Sequence, residues 1–100
     1  MISRNEFESR IKKMPKTIPS KTGNASYTRF KLHGKLLSFV RVNKGTSWKL
    51  NIDELYSVYK AHSFINTTVI KNTTGRRVNS PSVAILMVID CIDQKGRRIA

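Results

Sequence analysis

Residues 27–42 read YTRFKLHGKLLSFVRV and indicate a β-hairpin. Two runs that alternate apolar and polar residues flank His33-Gly34, and glycine suits a two-residue turn there. With that turn, Phe30 pairs with Leu37. The core face then carries Thr28, Phe30, Leu32, Leu37 and Phe39. The other face carries Tyr27, Arg29, Lys31, Leu36, Ser38 and Val40, and it is basic.

The hairpin leads into a short strand and a helix. The sequence Asn-Lys-Gly at 43–45 forms a second turn, so 46–50 is predicted to be a third antiparallel strand. Asn51 is a strong N-cap and Glu54 stands at capping-box distance, which predicts a helix over 52–61. This order predicts an α+β fold with a three-stranded sheet.

Further helices are predicted on either side of this unit. Apolar residues at helical spacing predict a helix over 4–14, so the sheet has two or three helices to cover it. Ser80-Pro81 is a typical helix start, and the apolar residues that follow favour a buried helix over 81–93, with a buried strand as the alternative. The stretch 83–92 is so apolar that it is either core or in part the seam of a dimer.

The remaining segments are mostly basic or ambiguous. Residues 15–26 contain proline, glycine and lysine and are interpreted as a basic loop or arm, and 94–100 as a basic tail. The β-branched content of 64–70 suits a strand, although Asn66 could also cap a helix. The length of 100 residues predicts one domain over 1–100.

Positive charge is the strongest functional signal. Lys and Arg total 19 against 6 Asp and Glu, a formal charge of +13, and ten of those net charges fall within residues 1–50. No acid occurs between Ser9 and Ile52. An ordinary solvated surface mixes both signs, so we expect one face to stay positive for an anionic partner, most often nucleic acid.

Three sets of residues compete for contact with nucleic acid. One consists of the flexible basic segments 16–21, 75–77 and 97–98, which we expect to add affinity rather than specificity. The other two are surfaces that could read bases. The first is the outer sheet face with basic turns, whose nucleic-acid-binding residues would be Tyr27, Arg29, Lys31, Lys35, Ser38, Arg41, Lys44, Lys49, Arg76 and Arg77. The second is a helix-turn-helix that ends in 66–72, with Asn66, Thr67, Thr68 and Lys71 as recognition residues. We expect DNA rather than RNA, because Tyr27 is the one aromatic residue predicted on the outer face and RNA readers stack bases on several.

The sequence argues against several other classes. Cys91 is the single cysteine, so no disulfide can form within the chain, and the histidines lack metal-ligand spacing. No cofactor motif is found, and no site for a metal is expected. The first residues lack an apolar leader, and the longest apolar run is too short to span a bilayer. We therefore expect no membrane association and a cytoplasmic location, or a nuclear one in a eukaryote.

These patterns predict a non-catalytic nucleic-acid-binding protein that acts as a small regulator or accessory factor. The alternative is an inhibitor or adaptor that binds an acidic or nucleic-acid-handling protein. A remote alternative is a Mg²⁺-dependent nuclease, because Asp93-Gln94-Lys95 matches half of a D-x-K motif. The further acid it requires would come from Asp53, Glu54 or Asp90.

Overall fold

The computed structural model describes residues 1–74 and 79–100. Its strands are β1 (Thr17–Pro19), β2 (Ser26–His33), β3 (Leu36–Arg41) and β4 (Thr46–Asn51). Its helices are α1 (Arg4–Lys12), α2 (Ile52–Ala61), α3 (Thr67–Thr74) and α4 (Asn79–Val88). The α+β class is confirmed, but the described residues form four strands and four helices, where three strands and two or three helices were predicted.

The additional strand lies in the segment interpreted as a basic loop or arm. β1 pairs antiparallel with β2, so the sheet order is β1-β2-β3-β4. Ile18 opposes Tyr27 and is fully buried, which anchors the strand. Pro19 ends β1 at the edge of the sheet, the place where a missing N–H does least harm. A strand of three residues that ends in a proline gives too short an alternation of apolar and polar residues to be recognised from sequence.

The β2–β3 turn differs from the predicted one by a shift in register. Gly34 and Lys35 form the loop, so His33 pairs with Leu36 and Leu32 with Leu37. The predicted pairing of Phe30 with Leu37 was therefore wrong. Gly34 has φ +61°, a value suited to the first position of such a loop. Because the shift is two residues, β3 keeps its predicted faces.

A β-bulge at Arg29 reverses the predicted faces at the start of β2. Thr28 pairs with Val40 and Lys31 with Ser38, so two residues of β2 span the one position of β3 between those pairs. Arg29 has φ +58°, an uncommon conformation for a residue with a side chain. The change of one residue turns Tyr27 inward, where it is 3% exposed, although it was predicted to face outward.

The core lies between one face of the sheet and the helices. The inner sheet face contributes Ile18, Tyr27, Leu37, Phe39 and Leu50, all buried. Phe39 contacts the rings of Tyr27 and Phe30, with centroids 5.8 and 5.5 Å away. α2 spans the predicted residues, and Asn51 caps it by accepting from the backbone N–H groups of Asp53 and Glu54.

The apolar segment 83–92 belongs to this core. Residues Val83, Ala84, Ile85 and Leu86 are at most 1% exposed, and so are Cys91 and Ile92. α4 ends at Val88, five residues before the predicted end, because Asp90 adopts φ +60° and reverses the chain. The apolar character of 83–92 is thus explained by packing within the chain.

Residues 94–100 fold back onto the helices. Isolated bridges join Arg97 to Phe64 and Arg98 to Ile92. Gly96 lies in the turn that directly precedes Arg97 and has φ +88°. A Cβ at this position would collide with the carbonyl oxygen of Ile65. The ambiguous segment 64–70 is divided, because Phe64 forms the bridge and α3 begins at Thr67.

The bulge predicts an asymmetry between two bases of β2. Arg29→Val should lower the free energy of unfolding by about 1–3 kcal/mol, because a β-branched residue is strained at positive φ. Lys31→Val is the matched control in the regular part of the same strand, with an expected change below about 0.5 kcal/mol. Denaturant unfolding measures both, and equal losses would contradict the bulge.

Candidate nucleic-acid interface

The outer face of the sheet presents three of the predicted bases together. Arg29, Lys31 and Lys49 line one shallow depression of about 470 Å³, and Ser38 lies in it with them. All three bases are exposed. We call this surface the outer face and define it by the residues Arg29, Lys31, Ser38, Val40, Ser47 and Lys49.

Strand register fixes the spacing of two of these bases. Ser38 pairs with Lys31 on one side and with Lys49 on the other, so the three residues form one rung across β2, β3 and β4. The Ser38 hydroxyl donates to the Lys31 carbonyl at 3.4 Å. Neighbouring strands lie about 4.8 Å apart, which puts the Lys31 and Lys49 backbones about 10 Å from each other.

Alternation along β2 positions the third base. Counted back from the outward Lys31, Phe30 turns inward and packs on Phe39, and Arg29 turns outward, where it is exposed. The bulge changes only the faces of Tyr27 and Thr28, on its other side. Arg29 also borders a second depression of about 500 Å³ with Lys12 and Lys16. The basic surface therefore continues around the edge of β2 toward α1.

The acids lie elsewhere. Four described ion pairs lie on α1 or join it to α2: Arg4–Glu8, Arg4–Asp53, Arg10–Glu6 and Lys12–Glu8. A fifth joins Asp93 to Arg97 in the C-terminal turn. Within 1–74 and 79–100, no ion pair involves Arg29, Lys31 or Lys49. No ion pair within these described ranges therefore neutralises the positive charge of the outer face.

The other predicted contact residues are dispersed. Lys35 lies by the β2–β3 turn, in a depression that also contains Arg4 and Glu8. Lys44 is exposed in the turn at the opposite end of β3. Tyr27 is buried, and the pairing of Arg41 with Tyr27 puts Arg41 on the inner face. Arg76 and Arg77 fall outside the described residues.

The alternative recognition segment forms a helix. Asn66 precedes α3, and its Oδ1 accepts from the backbone N–H of Val69 at 2.9 Å. That hydrogen bond engages the oxygen that adenine recognition would use. Thr67, Thr68 and Lys71 are exposed. α3 therefore offers one cation and two hydroxyls, a smaller positive surface than the outer face.

Sequence reasoning missed some residues of this surface. Ser47 lines the same depression as Lys49, and Lys12 borders the same depression as Arg29. Ser47 follows from the alternation of β4 once Lys49 is assigned outward. Lys12 could not have been found this way, because its proximity to Arg29 depends on how α1 packs against the sheet.

The half-motif considered for a nuclease forms a turn. The Asp93 carboxylate accepts from the backbone N–H groups of Lys95 and Arg97, each at 2.9 Å. These bonds, that of Arg97 above all, hold the pKa of Asp93 below its usual value. In the part of the chain that the structure describes, no three His, Cys, Asp or Glu side chains group as a metal site would require.

Cys91 is buried beside the end of α4. Burial raises the pKa of its thiol to about 11, so the thiol is protonated at neutral pH. A protonated, enclosed thiol is a poor nucleophile. Its complete burial makes Cys91 a small core residue.

Comparison with known protein families, with curated proteins and with solved structures finds no match to this chain. Among the described residues, no helix is long and apolar enough to cross a membrane.

The Asp93 turn predicts how acid acts on this region. Because the native pKa of Asp93 is lowered, its stabilising effect is full above the pKa of the unfolded chain and is lost as pH falls through the native value. Arg97→Gln removes the guanidinium but keeps the backbone N–H, so most of the lowering should persist. Carboxyl ¹³C NMR titration of both proteins tests this, and a return to the ordinary value in Arg97→Gln would contradict it.

Proposed function

We propose that the chain binds DNA through the outer face, without catalysing a reaction. The observation that carries this proposal is the grouping of exposed Arg29, Lys31 and Lys49 around one depression, with the chain's acids paired or placed elsewhere. Phosphate neutralisation supplies most of the affinity in non-specific DNA binding, and it needs such unpaired cations.

The shape of the outer face supports a duplex as the ligand. The major groove is about 12 Å wide, and two- or three-stranded sheets are known to enter it. The rung from Lys31 to Lys49 is about 10 Å wide at the backbone, so it matches that groove. Ser38 lies at the centre of the rung with a hydroxyl that can contact a base edge.

The burial of Tyr27 supports DNA over RNA as the ligand of the outer face. The strand residues that face outward beside Lys31 are Thr28, Ser38, Val40, Ser47 and Lys49. Tyr27, the one aromatic residue predicted there, is buried. Sheet proteins that read single-stranded RNA stack its bases on two or more exposed aromatic side chains. Of the aromatic residues that line this depression, Phe39 is buried and Trp48 is only partly exposed, which gives a smaller surface for stacking.

The role that best fits this proposal is that of a small regulator or accessory factor. A surface that neutralises phosphates with three clustered cations binds many sequences with similar affinity. The remaining basic positions, such as Lys35 and Lys44, lie at opposite ends of the sheet and would add contacts along the backbone of a long duplex.

Salt dependence tests the proposal. Affinity for a random-sequence duplex, measured by fluorescence anisotropy from about 50 to 200 mM salt, should fall linearly on a log–log plot. Each of Arg29→Gln, Lys31→Gln and Lys49→Gln should reduce the slope by about 1 if its side chain contacts a phosphate. Arg29→Gln is interpreted together with Lys31→Gln, since the former also alters the bulge.

Lys60→Gln is the control for charge alone. Lys60 is an exposed base on α2, where its ammonium lies over the Tyr56 ring, away from the outer face. Its loss should leave the slope within the error of the measurement. A slope near zero in the unaltered protein would contradict phosphate contacts, and an effect of Lys71→Gln without one of Lys31→Gln would move the interface to α3.

A further inference from the structure

A second cavity, of about 420 Å³, lies on the inner side of the sheet. Arg41 and Trp48 line it from β3 and β4, and Asn79 and Ser80 line it from the first turn of α4. Thr22 borders it from the loop between β1 and β2. The cavity therefore opens where the end of the sheet meets the start of a helix, and Trp48 is the one described lining residue that it shares with the depression of the outer face.

Three buried polar atoms without a hydrogen-bond partner belong to residues that line this cavity. They are Nε of Arg41, Nε1 of Trp48 and Oδ1 of Asn79. Buried polar groups in native proteins are almost always paired, so three unpaired ones around a single cavity need an explanation. A ligand that supplies the missing partners gives one.

The chemistry of these groups points to an oxyanion. Arg41 carries a fixed positive charge, and no acid is among the described residues that line the cavity. Within the described ranges 1–74 and 79–100, no ion pair involves Arg41. The Trp48 indole N–H can only donate. The Asn79 amide can turn to present NH₂ in place of Oδ1, because the two assignments fit the same shape. Residues from β3, β4 and the first turn of α4 thus bring hydrogen-bond donors, one of them cationic, to the lining of one cavity.

We propose that this cavity binds a phosphate group. Charge-assisted donors such as the Arg41 guanidinium bind phosphate oxygens strongly, and the hydroxyls of Thr22 and Ser80 offer further contacts. The volume exceeds that of a phosphate alone and lies in the range of small-molecule sites. The phosphate would therefore belong either to a small phosphorylated molecule or to the end of a nucleic-acid strand. The site does not depend on the outer face.

Trp48 provides a direct readout, because it is the chain's one tryptophan. Its indole ¹H–¹⁵N resonance should shift in a saturable way when inorganic phosphate is added at constant ionic strength. Arg41→Gln should weaken the apparent affinity about tenfold or more, the loss expected for one charge-assisted hydrogen bond. Lys44→Gln, which removes an exposed charge from the neighbouring turn, should leave the affinity within about twofold.

Trp48→Phe is the second test variant, to be used if Arg41→Gln does not fold. It keeps an aromatic ring and removes the indole N–H, and the backbone amides of Asn79 and Ser80 then report binding. This variant should also bind phosphate more weakly. No saturable shift in the unaltered protein, or equal losses in Arg41→Gln and Lys44→Gln, would overturn the proposal.

Two further titrations distinguish the sources of the phosphate. Adenosine monophosphate is compared with adenosine, and a 5′-phosphorylated oligonucleotide with its unphosphorylated form. Tighter binding of the mononucleotide supports a small-molecule site, and tighter binding of the phosphorylated oligonucleotide supports a strand end. Failure of duplex binding at the outer face leaves this result unaffected, because Lys31→Gln and Lys49→Gln do not touch the cavity.

Discussion

A single layer of helices can cover only one face of a sheet, and the rest of this structure depends on that constraint. The inner face of the four strands, with Leu37 and Phe39 at its centre, packs against α1, α2 and α4 in one continuous core. The other face stays in contact with water and must therefore be polar. Here that polar face carries bases, while acids such as Glu8 and Asp53 pair with bases on α1 and α2. Unpaired positive charge therefore lies on the outer face of the sheet, and the paired acids lie on the helices that cover its inner face.

Parts of the fold could be predicted where local signals were strong. The bounds of α2 were correct because Asn51 supplies a side-chain cap and the following apolar spacing is helical. Leu37 and Phe39 were placed in the core correctly because a shift of two residues preserves the face of a strand. The bulge at Arg29 could not be predicted, since Arg has no intrinsic preference for positive φ. It follows from tertiary packing that buries Tyr27 and partly buries Phe30.

Only part of the candidate site was predictable. Arg29, Lys31, Ser38 and Lys49 come together as the alternation of the strands indicates. Arg41 was grouped with them, yet it faces the inner cavity with Trp48 of the neighbouring strand and with Asn79, which is distant in sequence. No local pattern joins those three, because the contact between the end of the sheet and the start of α4 exists only in the folded chain.

The outer face is proposed to contact nucleic acid through its positive charge. An NMR titration with a random-sequence duplex at two salt concentrations tests this contact. The amide resonances of Lys31, Ser38 and Lys49 should shift at low salt, and the shifts should shrink as salt rises. Shifts confined to 66–71, or shifts that do not respond to salt, would contradict it.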